Sequence, residues 1–113
     1  MVAFVDVAKK DEIPEGAMIG VEAGGRKLLV ANVGGRLHAM DATCSHAGGD
    51  LTKGKLEGSV VTCPRHGAQY DVTTGKVVKN VGFAVKALTA GRSAGDLNSY
   101  EVIVEGEDVK VDV

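Results

Sequence analysis

Aromatic residues are scarce in this sequence and tryptophan is absent: two tyrosines and two phenylalanines make up 4% of the 113 residues. The core of a domain of this length must therefore be built from valine, leucine, isoleucine and alanine. The hydrophobic share of 44% is enough for the chain to fold rather than stay disordered. Proline is rare, with two residues, but glycine is abundant, with 16, which indicates many tight turns between short strands.

The chain also lacks an excess of basic residues and any long apolar run. Its formal net charge is −2 and its calculated pI is 5.9, and neither value supports a nucleic-acid or anionic-membrane partner. No apolar run approaches the roughly 18 residues needed to cross a bilayer. Residues 1–6 lack the basic start and apolar core of a signal peptide. We therefore expect no nucleic-acid partner, no membrane span and a cytoplasmic location.

Apolar segments with β-branched or alternating residues, bounded by glycine-containing turns, predict an all-β fold of short antiparallel strands. Gly24-Gly25 and Gly34-Gly35 can supply the positive φ angles of tight hairpins, so a three-stranded meander is expected before the first cysteine. A helical turn is expected within residues 9–15 and a surface loop over residues 90–99. The predicted strands cover residues 17–22, 26–33, 37–41, 60–62, 69–72, 76–81, 100–104 and 109–113.

Two short segments carry the side chains with the clearest chemistry, Cys44-Ser45-His46 and Cys63-Pro64-Arg65-His66. Their pattern is C-x-H, 16 intervening residues, then C-x-x-H. A cysteine and a histidine this close together on a tight loop can point at one centre, so the two loops offer two thiolates and two imidazoles. Two unrelated buried thiols, the simpler interpretation, would leave the neighbouring histidines unexplained.

This donor set fits two kinds of metal site. Zinc accepts two cysteines and two histidines in a tetrahedral arrangement, but structural zinc sites usually place like ligands in pairs. Here each loop pairs one cysteine with one histidine. That mixed pairing suits a dinuclear iron–sulfur cluster in which one iron takes both thiolates and the other takes both imidazoles.

The residues around these segments resemble the Rieske-type ferredoxin family. The similarity covers nearly the whole chain, from residues 11–16 onward, and it includes the spacing of the two loops. The matching residues that flank the loops are Gly48, Gly49, Asp50, Leu51, Pro64, Gly67, Tyr70, Asp71 and Gly75.

The resemblance implies one Rieske domain over residues 1–113, with loops at about 43–51 and 62–70 holding one [2Fe–2S] cluster per chain. Its fold would be an antiparallel β sandwich or barrel-like core with a small cluster-binding subdomain. Cys44 and Cys63 would bind the inner iron. His46 and His66 would bind the outer iron through Nδ1, with their exposed edges toward the redox partner.

Comparison with the Rieske proteins of respiratory cytochrome bc complexes points to four positions that affect the reduction potential of the cluster. Three differ from those proteins and one matches. Gly49 and Arg65 replace two cysteines that form a disulfide there, and Ala68 replaces a serine whose hydroxyl lies near a bridging sulfide. Tyr70 matches a tyrosine whose hydroxyl reaches a ligand thiolate. Because hydrogen bonds to the sulfurs stabilise the reduced state, we expect a potential in the lower part of the Rieske range. Tyr70 either raises it modestly or is an ordinary core ring.

The function that the resemblance implies is soluble one-electron transfer, not catalysis. The carrier would take electrons from a flavin-dependent reductase and pass them to a terminal oxygenase or a similar acceptor. One alternative is a small subunit of a larger reductase, as in assimilatory nitrite reductases, although such subunits often lack the four ligands. Another alternative is a zinc-stabilised structural module, which would be colourless and redox-silent.

The other charged residues have more modest interpretations. His38 lies on a predicted strand with no ligand-like neighbour and is interpreted as a surface residue. Arg65 could steer a partner that bears carboxylates, or it could be a solvated loop side chain. Lys53, Lys55 and Lys76 are interpreted as ordinary surface charge, with a contribution to a local positive field as the alternative.

Overall fold

The structure of the protein, a computed structural model, describes residues 4–43, 50–64, 67–79 and 96–113. These residues form short antiparallel strands and two 3-10 turns, Lys10–Glu12 and Leu51–Lys53, so the all-β prediction and the predicted helical turn are confirmed. No helix among them is long and apolar enough to span a membrane. The strands are β1 (Phe4–Lys9), β2 (Met18–Ala23), β3 (Arg26–Val33), β4 (Arg36–Asp41), β5 (Lys55–Glu57), β6 (Val60–Thr62), β7 (Gln69–Asp71), β8 (Val77–Lys79), β9 (Ser99–Tyr100), β10 (Val102–Glu105) and β11 (Asp108–Asp112).

The two ends of the described chain meet in a three-stranded sheet of order β1-β11-β10. Strands β10 and β11 form the predicted hairpin, with Val104 opposite Val109 and a turn at Gly106, whose φ is 62°. Val109 and Val111 are fully buried, because alternate residues of a strand point to the same side. The alternation of valine and charged residues at the C-terminus therefore predicted this strand correctly.

The predicted meander forms most of a second sheet, of order β2-β3-β4-β9. The φ angles of Gly24 and Gly25 are 58° and 75°, and those of Gly34 and Gly35 are 60° and 91°. Residues with side chains rarely adopt these angles, so the glycine pairs allow both tight turns. The meander is confirmed.

Strand β3 separates two apolar cores. Its even-numbered residues Leu28 and Val30 point into one core, and its odd-numbered residues Leu29 and Ala31 point into the other. The first core, on the side of Leu29, contains Leu29, Ala31, Met40, Ala42, Leu51, Val61, Cys63, Ala68, Tyr70 and Val72. The second core contains Ile13, Ala23, Leu28, Val30, Ala39 and Val111.

The third sheet, of order β5-β6-β7-β8, packs against the first core. On its other face, the Gln69 side chain donates a hydrogen bond from Nε2 to Thr62 Oγ1 at 3.1 Å. The row of side chains that faces the core is Leu56, Val61, Tyr70 and Val77. Because Cys63 directly follows β6, this sheet sets the position of the second predicted loop.

One predicted strand and one predicted loop need correction. The strand expected over residues 100–104 is broken at Glu101, because the chain changes sheets there: β9 pairs with β4, whereas β10 pairs with β11. The Glu101 carbonyl accepts a hydrogen bond from the Asp112 N–H at 3.0 Å. The loop expected over residues 90–99 ends earlier, since Ser99 belongs to β9, and residues 90–95 lie outside the described residues.

Candidate metal centre

The structure describes one of the four predicted ligands. Cys63 directly follows β6 and is 2% exposed. Ala68 and Tyr70, which belong to the same first core, are fully buried. The other three predicted ligands lie outside the described residues, as do two of the positions expected to affect the reduction potential. These residues are Cys44, His46, His66, Gly49 and Arg65. The ligand assignment therefore stays a prediction, but the bases of both loops are described.

Main-chain hydrogen bonds close the base of the first predicted loop. Thr43 and Asp50 form an antiparallel bridge across it, and the Leu51 N–H donates to the Ala42 carbonyl at 2.8 Å. The Ala42 N–H donates to the Lys27 carbonyl at 3.0 Å, which ties this base to β3. The residues on either side of the first predicted loop are therefore held together.

The side chain of Asp50 fixes the exit from this loop. Its Oδ1 accepts hydrogen bonds from the Thr52 N–H at 3.0 Å and from the Thr52 hydroxyl at 2.6 Å. The hydrogen bond from the Thr52 hydroxyl is the largest cause of the lowered pKa of Asp50. Burial, the next largest, opposes it, and the Thr52 N–H and the charges of Lys53 and Lys27 lower the pKa further. The carboxylate thus caps the 3-10 turn that follows the loop.

Main-chain hydrogen bonds also join the two sides of the second predicted loop, which lies between β6 and β7. The Cys63 N–H donates to the Ala68 carbonyl at 2.8 Å, and the Gly67 N–H donates to the Cys63 carbonyl at 3.2 Å. Gly67 has a φ of 78°, a conformation that favours glycine. These bonds hold the backbone of Cys63 in place while its side chain stays in the first core.

The two loop bases touch each other. Gly54 follows the first loop, and its α-carbon lies so close to β6 that an added Cβ would overlap the Thr62 carbonyl oxygen. Leu51 and Cys63 also share the first core. The residue before one predicted ligand is therefore in direct contact with the segment that leaves the other loop.

A polar contact at the end of β4 fixes the approach to the first loop. Asp41 Oδ1 accepts a hydrogen bond from the Tyr100 hydroxyl at 2.7 Å, and Oδ2 accepts one from the Asn98 N–H at 3.1 Å. Arg26 donates to the same tyrosine oxygen at 3.3 Å. Burial, followed by the hydrogen bond and charge of Asp41, raises the pKa of Tyr100. Three strands are thereby joined two residues before the loop base.

Sequence reasoning did not identify Asp41, Asp50 or Gly54 as supports of the site. Part of the signal for Asp50 was available, because an aspartate two residues before a threonine is a common turn and cap pattern, and Thr52 occupies that place here. Nothing in the sequence marks Asp41 or Gly54, since their partners lie in other strands.

His38 is half-buried on β4 and lies in an open groove beside Arg36 and Tyr100. Within the described ranges, no three histidine, cysteine or acidic side chains are grouped as a metal site would require. His38 is thus in no candidate site that the described residues form.

The described surroundings of Cys63 fit a thiolate-bound metal cluster. The side chain is nearly excluded from water, and the first core to which it belongs also contains Leu51, Ala68 and Tyr70. A hydrophobic shell of this kind limits solvent access and sets the local dielectric constant around a metal. The pairing of one cysteine with one histidine in each loop supplies the donor types of a Rieske cluster.

Comparison with known proteins gives the same family. The Rieske [2Fe-2S] domain model matches residues 3–100. The biphenyl 2,3-dioxygenase ferredoxin component of Rhodococcus jostii (strain RHA1) is 38% identical over 111 residues, which cover 98% of this chain and 94% of the relative.

Solved structures of the same kind share the fold. The ferredoxin of carbazole 1,9a-dioxygenase from Nocardioides aromaticivorans IC177 has a TM-score of 0.81 and 25% identity, with 97% of each chain covered. A complex of reduced oxygenase and oxidized ferredoxin in carbazole 1,9a-dioxygenase contains a chain with a TM-score of 0.80 and 27% identity, with 96% of this chain and 92% of that chain covered. These matches confirm the predicted fold and family, and an iron–sulfur cluster is the cofactor they support. The chain belongs to the Rieske [2Fe–2S] domain family.

Proposed function

We propose that this protein is a one-electron carrier that takes electrons from a flavin-dependent reductase and passes them to a terminal oxygenase. The observation that carries the proposal is the match to a dioxygenase ferredoxin component over 98% of this chain and 94% of the relative. The solved complex of an oxygenase with its ferredoxin supports an oxygenase as the acceptor. The location in the cytoplasm stays a prediction.

One [2Fe–2S] cluster per chain would be held by Cys44, His46, Cys63 and His66. Such a cluster supplies a site that gains and loses a single electron without substrate chemistry. The described residues hold the two loops. The bridge between Thr43 and Asp50 closes the first loop, and the main-chain hydrogen bonds of Cys63 close the second. The first core would keep water away from the Cys63 thiolate.

The test of this function is the colour and electron paramagnetic resonance of the purified protein. We expect a red-brown protein that, after reduction, gives a signal with the low average g value of histidine-ligated clusters. Iron and sulfide should each be close to two per chain, because one cluster per chain is proposed. A colourless, zinc-loaded and resonance-silent protein would establish the structural zinc module instead.

Tyr70 gives a further test of how the site sets its potential. Tyr70 is fully buried in the first core with Cys63, and no buried polar side-chain atom among the described residues lacks a hydrogen-bond partner. If the hydroxyl donates to a ligand sulfur, Tyr70→Phe lowers the reduction potential by about 40 mV, which corresponds to one hydrogen bond of about 1 kcal/mol. Protein-film voltammetry measures the shift. An unchanged potential would leave Tyr70 as a core ring alone.

A further inference from the structure

Three exposed lysines surround the bases of the two predicted cluster loops. Lys53 ends the 3-10 turn that follows the first loop. Lys55 begins β5 opposite Thr62, the residue before Cys63. Lys27 accepts, through its carbonyl, the hydrogen bond from Ala42 at the base of the first loop. We call Lys27, Lys53 and Lys55 the basic surface.

None of these three lysines is neutralised by an ion pair within the described residues. Glu22 lies opposite Lys27 in the β2–β3 register, and Glu57 lies two residues after Lys55, but neither makes an ion pair with them. The nearby Asp50 carboxylate accepts its hydrogen bonds from the Thr52 N–H and hydroxyl, and its charge offsets part of the charge of Lys27 and Lys53 without an ion pair to either. Among the described residues, the ammonium groups of the basic surface thus make no direct ion pair, and their exposed positions let them meet charges outside the protein.

The lysines of the β1-β11-β10 sheet have a different environment. Lys9 is paired with Asp108, and Lys110 is paired with Glu105 at 3.6 Å. This sheet contacts the second sheet through β1 with β2 and β10 with β4, and among the described strands it has no comparable contact with β5–β8. In the described part of the chain, positive charge is thus neutralised in the terminal sheet and left unpaired around the cluster loops.

The sequence shows the same asymmetry in formal charge. Residues 42–79, which include both loops and β5–β8, contain five lysines and arginines and three acidic residues, a net charge of +2. The rest of the chain contains eight basic and twelve acidic residues, a net charge of −4. The segment that contains both predicted loops is therefore positive and the rest of the chain is negative, although the overall charge is −2.

We propose that the basic surface docks an acidic face of the electron acceptor, the terminal oxygenase, and orients the cluster loops toward it. This inference rests on the proposed electron-carrier function. Unpaired surface charges of one sign act mainly on the rate and orientation of encounter, with an effect that salt screens. Lys76 is not included, because it lies next to Val77 at the far end of the sheet, where the Asp71 N–H donates a hydrogen bond to its carbonyl.

The overall negative charge and the basic surface predict opposite effects of salt on the rate of electron transfer to an anionic acceptor. The experiment measures this rate. Hexacyanoferrate(III) oxidises the reduced protein by one electron and becomes hexacyanoferrate(II). If the overall charge of −2 controlled the encounter, the rate would rise with salt, whereas the basic surface makes it fall. We expect a fall between 0.01 M and 1 M salt, over which the Debye length shortens from about 30 Å to about 3 Å.

Two triple variants with the same change in net charge distinguish the effect of the basic surface from that of lysines on or beside the terminal sheet. Lys27, Lys53 and Lys55 are replaced by glutamine in one variant, and Lys9, Lys10 and Lys110 in the other. At 0.01 M salt, stopped-flow oxidation by hexacyanoferrate(III) should slow by about threefold or more in the first variant and much less in the second. Reduction of cytochrome c, a basic protein acceptor, should become faster in the first variant. Both differences should disappear at 1 M salt.

Control measurements distinguish this inference from the proposed function. The paramagnetic signal and the potential are recorded for each variant, so that a change in cluster content or driving force is not mistaken for a docking effect. If all variants contain the cluster and the two triple variants react alike, the docking inference is wrong and the carrier function stands. If the wild type contains no cluster, both are wrong.

Discussion

The His46→Ala variant is expected to lose its iron–sulfur cluster, and with it the visible absorption and the paramagnetic signal, whereas His38→Ala keeps all three. His46 is one of two predicted imidazole ligands of the outer iron, and alanine offers no donor atom in its place. His38 is the third histidine of the chain and lies half-buried on β4, opposite Ala31. The measurement is iron and sulfide content per chain, together with the visible spectrum.

The expected loss is nearly complete, because a cluster iron with one protein ligand removed needs a replacement donor. The comparison with His38→Ala also controls for the general effect of removing an imidazole. An equal loss of iron in both variants would show that His38 supports the site, and unchanged iron in His46→Ala would show that His46 is not a ligand.

The features that the sequence predicted well are those encoded locally. Gly24-Gly25 and Gly34-Gly35 specify tight turns by themselves, so the β2–β3–β4 meander needed no knowledge of distant contacts. The valine alternation of β11 likewise identifies a strand with one buried face. The ligand pattern is also encoded locally, since each predicted loop contains a complete cysteine–histidine pair, but the ligand assignment itself stays a prediction.

The features that could not be predicted depend on partners far away in the chain. β1 was not predicted, and it pairs with β11 at the other end of the sequence. The strand is interrupted at Glu101 because the residues before it pair with β4 in one sheet and the residues after it pair with β11 in another. Asp41 supports the first loop only because β9 brings Tyr100 beside it. In each case the local residues permit several structures, and tertiary contacts select one.

The contact between the two loop bases predicts a large effect of a small substitution, Gly54→Ala. Gly54 has a φ of −86° and a ψ of −156°, so its backbone conformation does not require glycine. The requirement is steric: an added Cβ would overlap the Thr62 carbonyl oxygen and lie 3.2 Å from the Leu51 carbonyl oxygen. Backbone atoms on both sides cannot rotate away as a side chain could, so β6 and the segment after the first loop must separate.

We expect Gly54→Ala to lower the free energy of unfolding by about 3 kcal/mol, which lowers the melting temperature by about 10–20 °C. It should also reduce the cluster content, since Thr62 directly precedes Cys63. The matched control is Gly20→Ala, whose Cβ would lie 3.2 Å from the Thr52 methyl group, a side-chain atom that can shift. Because alanine is better than glycine within a strand, the control should stay within about 1 kcal/mol of the wild type. Thermal unfolding of both variants decides the matter: equal stabilities would mean that the loop bases can separate at little cost, and the rigid contact at Gly54 would not be what positions Cys63.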